Sequence, residues 1–270
     1  MSGLEGRIAM VTGGGSGLGA AIAARLAADG AVVVVNDITG EAAERTAHDI
    51  RAKGGQAGAA AFDVAGSAAV DQAVDAVVHE HGRLDILVNN AGIAPRRPEV
   101  RARGLANMAA RMSGGEPVPV QATSTLSDEE WDRMLRIHLY GTFHCTRAAL
   151  RHMEPARSGA IVNMASIAGL HGIPGGPEYS AAKGGVIAFT KSVAGEVAPL
   201  GIRVNAVAPA YIDTPLIDDF DDTVRGFLTL RTPLGRLGRP EEVAAAVRFL
   251  VGDEAGYCVG EVHTVTGGFA

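Results

Sequence analysis

The chain has 270 residues, of which 47% are hydrophobic and 4% aromatic, and its formal net charge at pH 7 is −6. This acidic balance disfavours binding to nucleic acid or to an anionic membrane surface. The two cysteines, Cys145 and Cys258, have neither the spacing of a zinc site nor that of a disulfide framework, so we expect no metal. No signal-like segment and no run of about 20 apolar residues occurs, which favours a cytoplasmic protein.

Short apolar runs bounded by glycine or aspartate predict β-strands at Arg7–Val11, Ala31–Asn36, Ala57–Phe62, Asp85–Asn89, Ala160–Met164, Ile202–Ala208 and Val262–Val265. Apolar spacings of three and four residues predict helices at Gly17–Asp29, Gly40–Lys53, Ser67–His81, Ser127–Met153, Glu178–Ala198 and Pro240–Gly252, with an irregular one at Asp213–Arg231. This alternation is typical of an α/β fold, in which a parallel sheet of seven strands carries helices on both faces.

One segment interrupts the alternation. From Pro95 to Thr125 the chain is rich in arginine, glycine and proline, and it is too long for an ordinary connection between a strand and a helix. Loops at the carboxyl ends of strands border the ligand site in open α/β sheets. The segment is therefore either a flap over the substrate or a mobile excursion.

The first predicted strand runs directly into a glycine-rich turn, Thr12–Gly19, and a helical pattern follows at once. Glycines at such a turn let the backbone approach a pyrophosphate at a helix N-terminus, where free N–H groups favour an anion. Because strand, turn and helix occur in the required order, the pattern predicts a dinucleotide site in one Rossmann domain over residues 1–270.

Asp37 ends the second predicted strand, at about the distance from the glycine turn expected of a ribose-binding acid. A carboxylate there accepts hydrogen bonds from the ribose hydroxyls and repels a 2′-phosphate. Neither the glycine turn nor the neighbourhood of Asp37 contains an arginine or lysine that could pair with such a phosphate. We therefore expect NAD as the cofactor; the simpler interpretation is that Asp37 only caps the turn before Thr39.

The sequence resembles the short-chain dehydrogenase/reductase family over nearly its whole length. The motifs that carry the resemblance are TGGGSGLG at Thr12–Gly19, Asp63-Val64, NNAG at Asn89–Gly92, Ser166 with YSAAK at Tyr179–Lys183, and PAYIDT at Pro209–Thr214. The resemblance implies cofactor contacts from Thr12, Gly13, Ser16, Gly17, Leu18, Gly19, Asp37, Ile38, Asp63, Val64, Asn89, Ala91, Gly92, Tyr179, Lys183, Pro209, Ile212 and Thr214. It also implies a homotetramer.

Tyr179, Lys183 and Ser166 suit the interconversion of a secondary alcohol and a ketone. The reduction needs a proton donor at oxygen while hydride arrives at carbon. A tyrosine with an ordinary pKa of about 10 ionises too poorly at neutral pH, but a nearby ammonium stabilises the phenolate. Tyr179 and Lys183 are four residues apart, so they share one face of a helix. Ser166, by resemblance the family serine, can donate a hydrogen bond to the substrate oxygen.

His138 departs from the family pattern, which usually has an asparagine at this place to support a proton-relaying water. An imidazole also donates and accepts hydrogen bonds, so His138 is either a fourth catalytic residue or a packed histidine that fixes a local kink. A second feature is the group of acids Asp218, Asp219, Asp221 and Asp222 in the expected substrate loop, which disfavours an anionic substrate unless the arginines of the 95–125 segment offset them.

These observations predict an NAD-dependent dehydrogenase that acts on a small or medium, largely apolar alcohol or ketone. An NADPH-dependent 3-oxoacyl-type reductase is the main alternative, and Asp37 argues against it. A non-catalytic protein that senses NAD is the alternative from another class, and the presence of both Tyr179 and Lys183 argues against it.

Overall fold

A computed structural model describes residues 3–217, 220 and 222–269. The strands are β1 (Ile8–Val11), β2 (Val32–Asp37), β3 (Gln56–Ala61), β4 (Ile86–Asn89), β5 (Gly159–Met164), β6 (Ile202–Pro209) and β7 (Val262–Val265). They form a seven-stranded sheet in the order β3-β2-β1-β4-β5-β6-β7, and every neighbouring pair is parallel. The strand order reverses between β1 and β4, which is where open α/β sheets bind dinucleotides.

The helices are α1 (Gly17–Ala28), α2 (Gly40–Ala52), α3 (Ser67–His81), α4 (Pro98–Ser113), α5 (Asp128–Leu135), α6 (Gly141–Ala156), α7 (Ile167–His171), α8 (Pro177–Val197), α9 (Asp222–Arg231) and α10 (Pro240–Val251). A π-helical turn, Arg136–Tyr140, joins α5 to α6, and short 3-10 turns occupy Ala198–Leu200, Pro215–Ile217 and Asp253–Ala255. None of the described helices has the length and apolar character needed to cross a bilayer.

Both faces of the sheet are buried. Alternate strand residues such as Ala9, Val11 and Val33 enter a cluster with buried residues of α1, α2 and α10. The intervening residues, for example Met10 and Leu87, enter a second cluster with α3, α6 and α8. Small alanine and valine side chains dominate both clusters and let the helices pack closely on the sheet. The predicted seven-stranded parallel α/β fold is confirmed.

Three helical features differ from the prediction. The helix expected at Ser127–Met153 is divided by the π-helical turn at 136–140. The segment from Pro95 to Thr125 contains α4, which begins with Pro98 at its first position and ends at Gly114 in the left-handed conformation. The irregular stretch Asp213–Arg231 holds a 3-10 turn and α9, while Asp218, Asp219 and Asp221 lie outside the described residues.

Candidate active site

The glycine-rich turn has the geometry of an anion-binding loop. Gly13 and Gly17 adopt positive φ angles of 60° and 51°. A β-carbon at Gly19 would lie 2.1 Å from the carbonyl oxygen of Gly13, so only glycine lets α1 approach the turn this closely. Ser16 precedes α1 and its side chain caps no backbone N–H of the helix. The first N–H groups of α1 are therefore free of a capping side chain and can bind a pyrophosphate.

Thr12 fastens this turn to the loop that follows β4. Its hydroxyl accepts hydrogen bonds from the backbone N–H groups of Asn90, at 2.9 Å, and Ala91, at 3.0 Å. The Asn90 amide returns two hydrogen bonds of 3.0 Å to the carbonyls of Thr12 and Gly13. Thr12 thus holds the glycine turn against the loop after β4 through hydrogen bonds from the backbone of that loop. The side chain of Asn90 was missed as a site residue, although its place inside the NNAG motif was a signal.

Asp37 lies at the end of β2, half-buried beside the glycine turn. One carboxylate oxygen accepts from the N–H of Gly15 at 3.1 Å and the other accepts from the N–H of Thr39, also at 3.1 Å. Each oxygen keeps capacity for another donor, as a ribose diol would require. The Asp37 carboxylate therefore caps the turn before Thr39 and contacts the glycine turn at the same time. This carboxylate fits an unphosphorylated ribose.

The loop that follows β3 lies beside the end of β2, next to Asp37. The N–H of Phe62 donates to the Asp37 carbonyl at 3.2 Å, which places the Asp63-Val64 pair beside the end of β2. Ile38 is 70% exposed, so its side chain is available to cover a planar ring. Asp63 accepts from the N–H of Ala65 at 2.9 Å, whereas Val64 is buried.

Asn89 lies at the end of β4, but its side chain points into the interior. Its amide nitrogen donates to Thr146 at 3.0 Å and to Asn163 at 2.8 Å, and Asn163 donates onward to Thr190 at 2.9 Å. This buried chain of hydrogen bonds ties β4 and β5 to α6 and α8. The Asn89 side chain therefore supports the site from the interior.

The loop after β6 meets the glycine turn from the opposite side. Pro209 is buried at the end of β6, and Ile212 is buried and pairs with Gly238. Thr214 is also buried, and its β-carbon lies 3.5 Å from where a β-carbon on Gly17 would stand. The fold thus brings the predicted nicotinamide-side residues to the predicted pyrophosphate loop.

Ser166, Tyr179 and Lys183 come together next to β5. Ser166 begins α7, where its hydroxyl accepts from the N–H of Ala168 at 3.1 Å, and it also hydrogen-bonds the side chain of Tyr179. Tyr179 and Lys183 lie one turn apart on α8, with the lysine Nζ 5.8 Å from the centre of the tyrosine ring. The ammonium of Lys183 donates to the Met164 carbonyl at 2.5 Å.

Burial dominates the electrostatics of this group. It raises the pKa of Tyr179, an effect that the hydrogen bond from Ser166 opposes and the nearby Tyr211 reinforces. Burial also lowers the pKa of Lys183 to about 7, so this amine exchanges its proton readily near neutral pH. The structure differs here from the simple expectation of an ammonium that lowers the tyrosine pKa. In this arrangement Ser166 is the group that favours the phenolate.

His138 is buried in the π-helical turn, against Tyr179. The two rings are perpendicular, with centroids 5.3 Å apart. Nε2 of His138 lies 3.1 Å from the backbone nitrogen and 2.9 Å from the carbonyl oxygen of Ile93, so it bonds to one of them according to its tautomer. Nδ1 is buried and has no hydrogen-bond partner among the described residues. Burial and the charge of Lys183 hold the imidazole pKa well below its ordinary value, which keeps the ring neutral.

A serine, a tyrosine and a buried lysine beside a glycine turn with free N–H groups are suited to an oxidoreductase that uses a nicotinamide cofactor. Residues 13–270 match the family described as enoyl-(acyl carrier protein) reductase. Cis-4-hydroxycyclohexanecarboxylate dehydrogenase of Sinomonas cyclohexanicum is 42% identical, over 97% of this chain and 96% of its own. The 3-oxoacyl-[acyl-carrier-protein] reductase of Thermotoga maritima is 36% identical over 98% of both chains.

Two further comparisons also match oxidoreductases or their fold over nearly the whole chain. Cyclopentanol dehydrogenase of a Comamonas species is 38% identical, over 100% of this chain and 99% of its own. The crystal structure of gox2181 superposes with a TM-score of 0.87 at 34% identity, covering 99% of this chain and 96% of that one. The chain belongs to the short-chain dehydrogenase/reductase family, as its motifs predicted.

Proposed function

We propose that this oxidoreductase is an NAD(H)-dependent dehydrogenase that interconverts a secondary alcohol and a ketone on a small to medium, largely apolar substrate. The observation that carries the proposal is the grouping of Ser166, Tyr179 and Lys183 beside a glycine turn suited to a dinucleotide. The whole chain, residues 1–270, would serve as one cofactor-binding domain, with the 95–125 segment inserted into it.

The residues along the glycine turn and the neighbouring strand ends would suit NAD. The free N–H groups of α1 would bind the pyrophosphate, Asp37 the adenine ribose, and Ile38 with the Asp63-Val64 pair the adenine. The buried Ile212 and Thr214 would border the nicotinamide, together with the backbone of Ala91 and Gly92. When bound, NAD accepts or supplies the hydride. Preference for NAD over NADP rests on the charge of Asp37, because a 2′-phosphate beside that carboxylate would be repelled.

The protein's own residues handle the proton. In the oxidation, Tyr179 accepts the alcohol proton while Ser166 donates a hydrogen bond to the substrate oxygen. Burial raises the pKa of Tyr179, so regenerating its phenolate needs a path by which the proton leaves. Lys183, whose pKa burial lowers to about 7, would relay that proton towards solvent, because its amine gains and loses a proton readily near neutral pH. In the reduction the same steps run in reverse.

His138 occupies the place where the proton path would leave Tyr179 and Lys183. Its ring is held by the Ile93 backbone and packs edge-on against Tyr179. The unpartnered, buried Nδ1 is suited to a bridging water, which would satisfy it at little cost. We assign His138 to the relay on this basis. The packed interpretation, in which the ring only fixes the π-helical turn, predicts different variant behaviour.

An acyl reductase that uses NADPH is the second candidate. It is favoured by relatives named 3-oxoacyl-[acyl-carrier-protein] reductase, whereas the dehydrogenases of cyclic alcohols favour the first proposal. A catalytically silent NAD sensor has no support in the site, because the serine, tyrosine and lysine are all in place. The homotetrameric assembly and the cytoplasmic location stay predictions from the sequence.

The test is a panel of cyclic and linear secondary alcohols assayed with NAD and with NADP, in which the reduced cofactor is followed by absorbance. Turnover of an alcohol with NAD, lost in Tyr179→Phe, is the expected result. Turnover of 3-oxoacyl thioesters with NADPH, without oxidation of any free alcohol, would support the acyl reductase instead. The Tyr179→Phe variant is the matched control, since it removes one hydroxyl and leaves the ring in contact with His138.

A further inference from the structure

The inserted segment, residues 95–125, is a folded unit held at its base by Arg97. This guanidinium is buried and donates to the Ala122 carbonyl at 2.5 Å and to the Thr125 hydroxyl at 2.6 Å. The carboxylates of Glu99 and Glu130 lie within 4.0 Å of its Nε. Arg97 thereby joins the start of the segment to its end and to the first turn of α5. Its positive charge is met by two carboxylates.

The first turn of α4 lies between the two loops that border the catalytic group. A β-carbon at Gly175, in the loop before Tyr179, would lie 3.7 Å from Cγ1 of the buried Val100. On the other side, the guanidinium of Arg101 stacks over the ring of Phe220, 5.3 Å from its centroid, in the stretch that follows β6. The first turn of α4 therefore contacts the loop before Tyr179 on one side and the stretch that follows β6 on the other.

Arg101 differs from Arg97 in how its charge is met. Both Arg101 and Phe220 are half-buried, and no carboxylate of the described residues lies within 4.0 Å of the Arg101 guanidinium. The aromatic face attracts the cation, and no hydrogen bond joins the Arg101 guanidinium to another residue of the described part of the chain. A partly desolvated guanidinium held flat on a ring is preorganised for a carboxylate, which it can bind through two parallel hydrogen bonds.

We propose that Arg101 binds a carboxylate on the substrate, at the end remote from the alcohol or ketone that reacts at Tyr179. The inference rests on the proposed function and sharpens its substrate class from a largely apolar molecule to an apolar ring or chain with one anionic end. Arg101 is a specificity residue in this scheme and takes no part in the proton transfer.

The test compares two probes of equal shape, a 4-hydroxycyclohexane ring with a carboxylate and the same ring with a carboxamide. Arg101→Met keeps an apolar stem against Phe220 and removes the charge, while Arg101→Lys keeps the charge and loses the paired hydrogen bonds. Arg111→Met, at an exposed position in the last turn of the same helix, removes an equal charge and serves as the control. KM and kcat are measured for both probes with saturating NAD. Binding of cyclohexanecarboxylate and cyclohexanecarboxamide to the enzyme with NADH is measured by titration calorimetry.

We expect Arg101→Met to raise KM for the carboxylate about 10- to 100-fold, the effect of losing a hydrogen bond to a charged group, with kcat nearly unchanged. The carboxamide should be affected less than twofold, and Arg111→Met should change neither probe. Equal losses on both probes, or no preference of the wild type for the carboxylate, would overturn the inference while leaving the dehydrogenase proposal standing. Binding of cyclohexanecarboxylate that depends on Arg101, without turnover of any alcohol, would support the anion site and refute the proposed activity.

Discussion

Gly92→Ala tests how tightly the site is built around His138. A β-carbon at Gly92 would lie 2.4 Å from Cε1 and 3.0 Å from Nδ1 of the imidazole. This is about 1 Å closer than an ordinary carbon–carbon contact, so the ring must move by a similar distance. Its hydrogen bond to the Ile93 backbone, now at 2.9 to 3.1 Å, would then be lost.

The cost follows from these two effects. Overpacking costs about 1–3 kcal/mol and the lost hydrogen bond about 1 kcal/mol, so the free energy of unfolding should fall by about 2–4 kcal/mol. For a chain of this size the melting temperature should fall by roughly 4–7 °C. If His138 relays protons, kcat should also fall by roughly 10²-fold. Thermal melting and steady-state assays with NAD measure the two quantities.

Gly58→Ala is the matched control, because a β-carbon at this exposed position in β3 would meet no atom within 4 Å. The double variant Gly92→Ala/His138→Asn should lose less stability than the two single changes added together, since the smaller amide makes room for the new methyl group. If Gly92→Ala had the melting temperature and the turnover of the wild type, the close contact between Gly92 and His138 would not constrain the site.

Four further predictions concern the chemistry. The kcat/KM with NAD should exceed that with NADP by at least about tenfold, or roughly 1.4 kcal/mol, and Asp37→Ala should bring the two values closer together. Equal kcat/KM with both cofactors would contradict this prediction. Tyr179→Phe should abolish turnover while NADH binding, followed by fluorescence, is nearly retained; substantial remaining activity would remove Tyr179 from the mechanism. His138→Asn should keep much of the rate and His138→Leu should lose roughly 10²-fold; a Leu variant that folds and turns over like wild type would leave the ring a packing role. The rate of alcohol oxidation should rise with pH through about 7, because the Lys183 amine must be neutral to accept a proton. Lys183→Arg should remove this rise together with most of the activity. A rate that does not change with pH in the wild type would argue against Lys183 as the acceptor.

The parallel sheet and the cofactor cleft could be predicted from local residue patterns. Strands buried on both faces must be nearly continuous apolar runs, and β1 and β4 are such runs. The glycine turn is equally local, because the requirement for glycine at Gly13, Gly17 and Gly19 arises from backbone conformation and close approach within a few residues. The spacing of Tyr179 and Lys183 follows from the helical repeat alone.

Other features depended on contacts between distant parts of the chain. Helix α4 escaped prediction because its polar, arginine-rich sequence has only one fully buried residue, Val100, and is held by Arg97 through contacts about 25 residues away. The low pKa of Lys183 comes from burial of its amine on α8 beside the end of β5, which no spacing reveals. His138 could be recognised as an exception to the family pattern, but its bond to Ile93 and its edge-on contact with Tyr179 exist only once the π-helical turn brings the ring beneath the loop after β4. Local patterns determine where strands, turns and motifs occur, whereas burial and charge at the site are set by the packing of segments far apart in the chain.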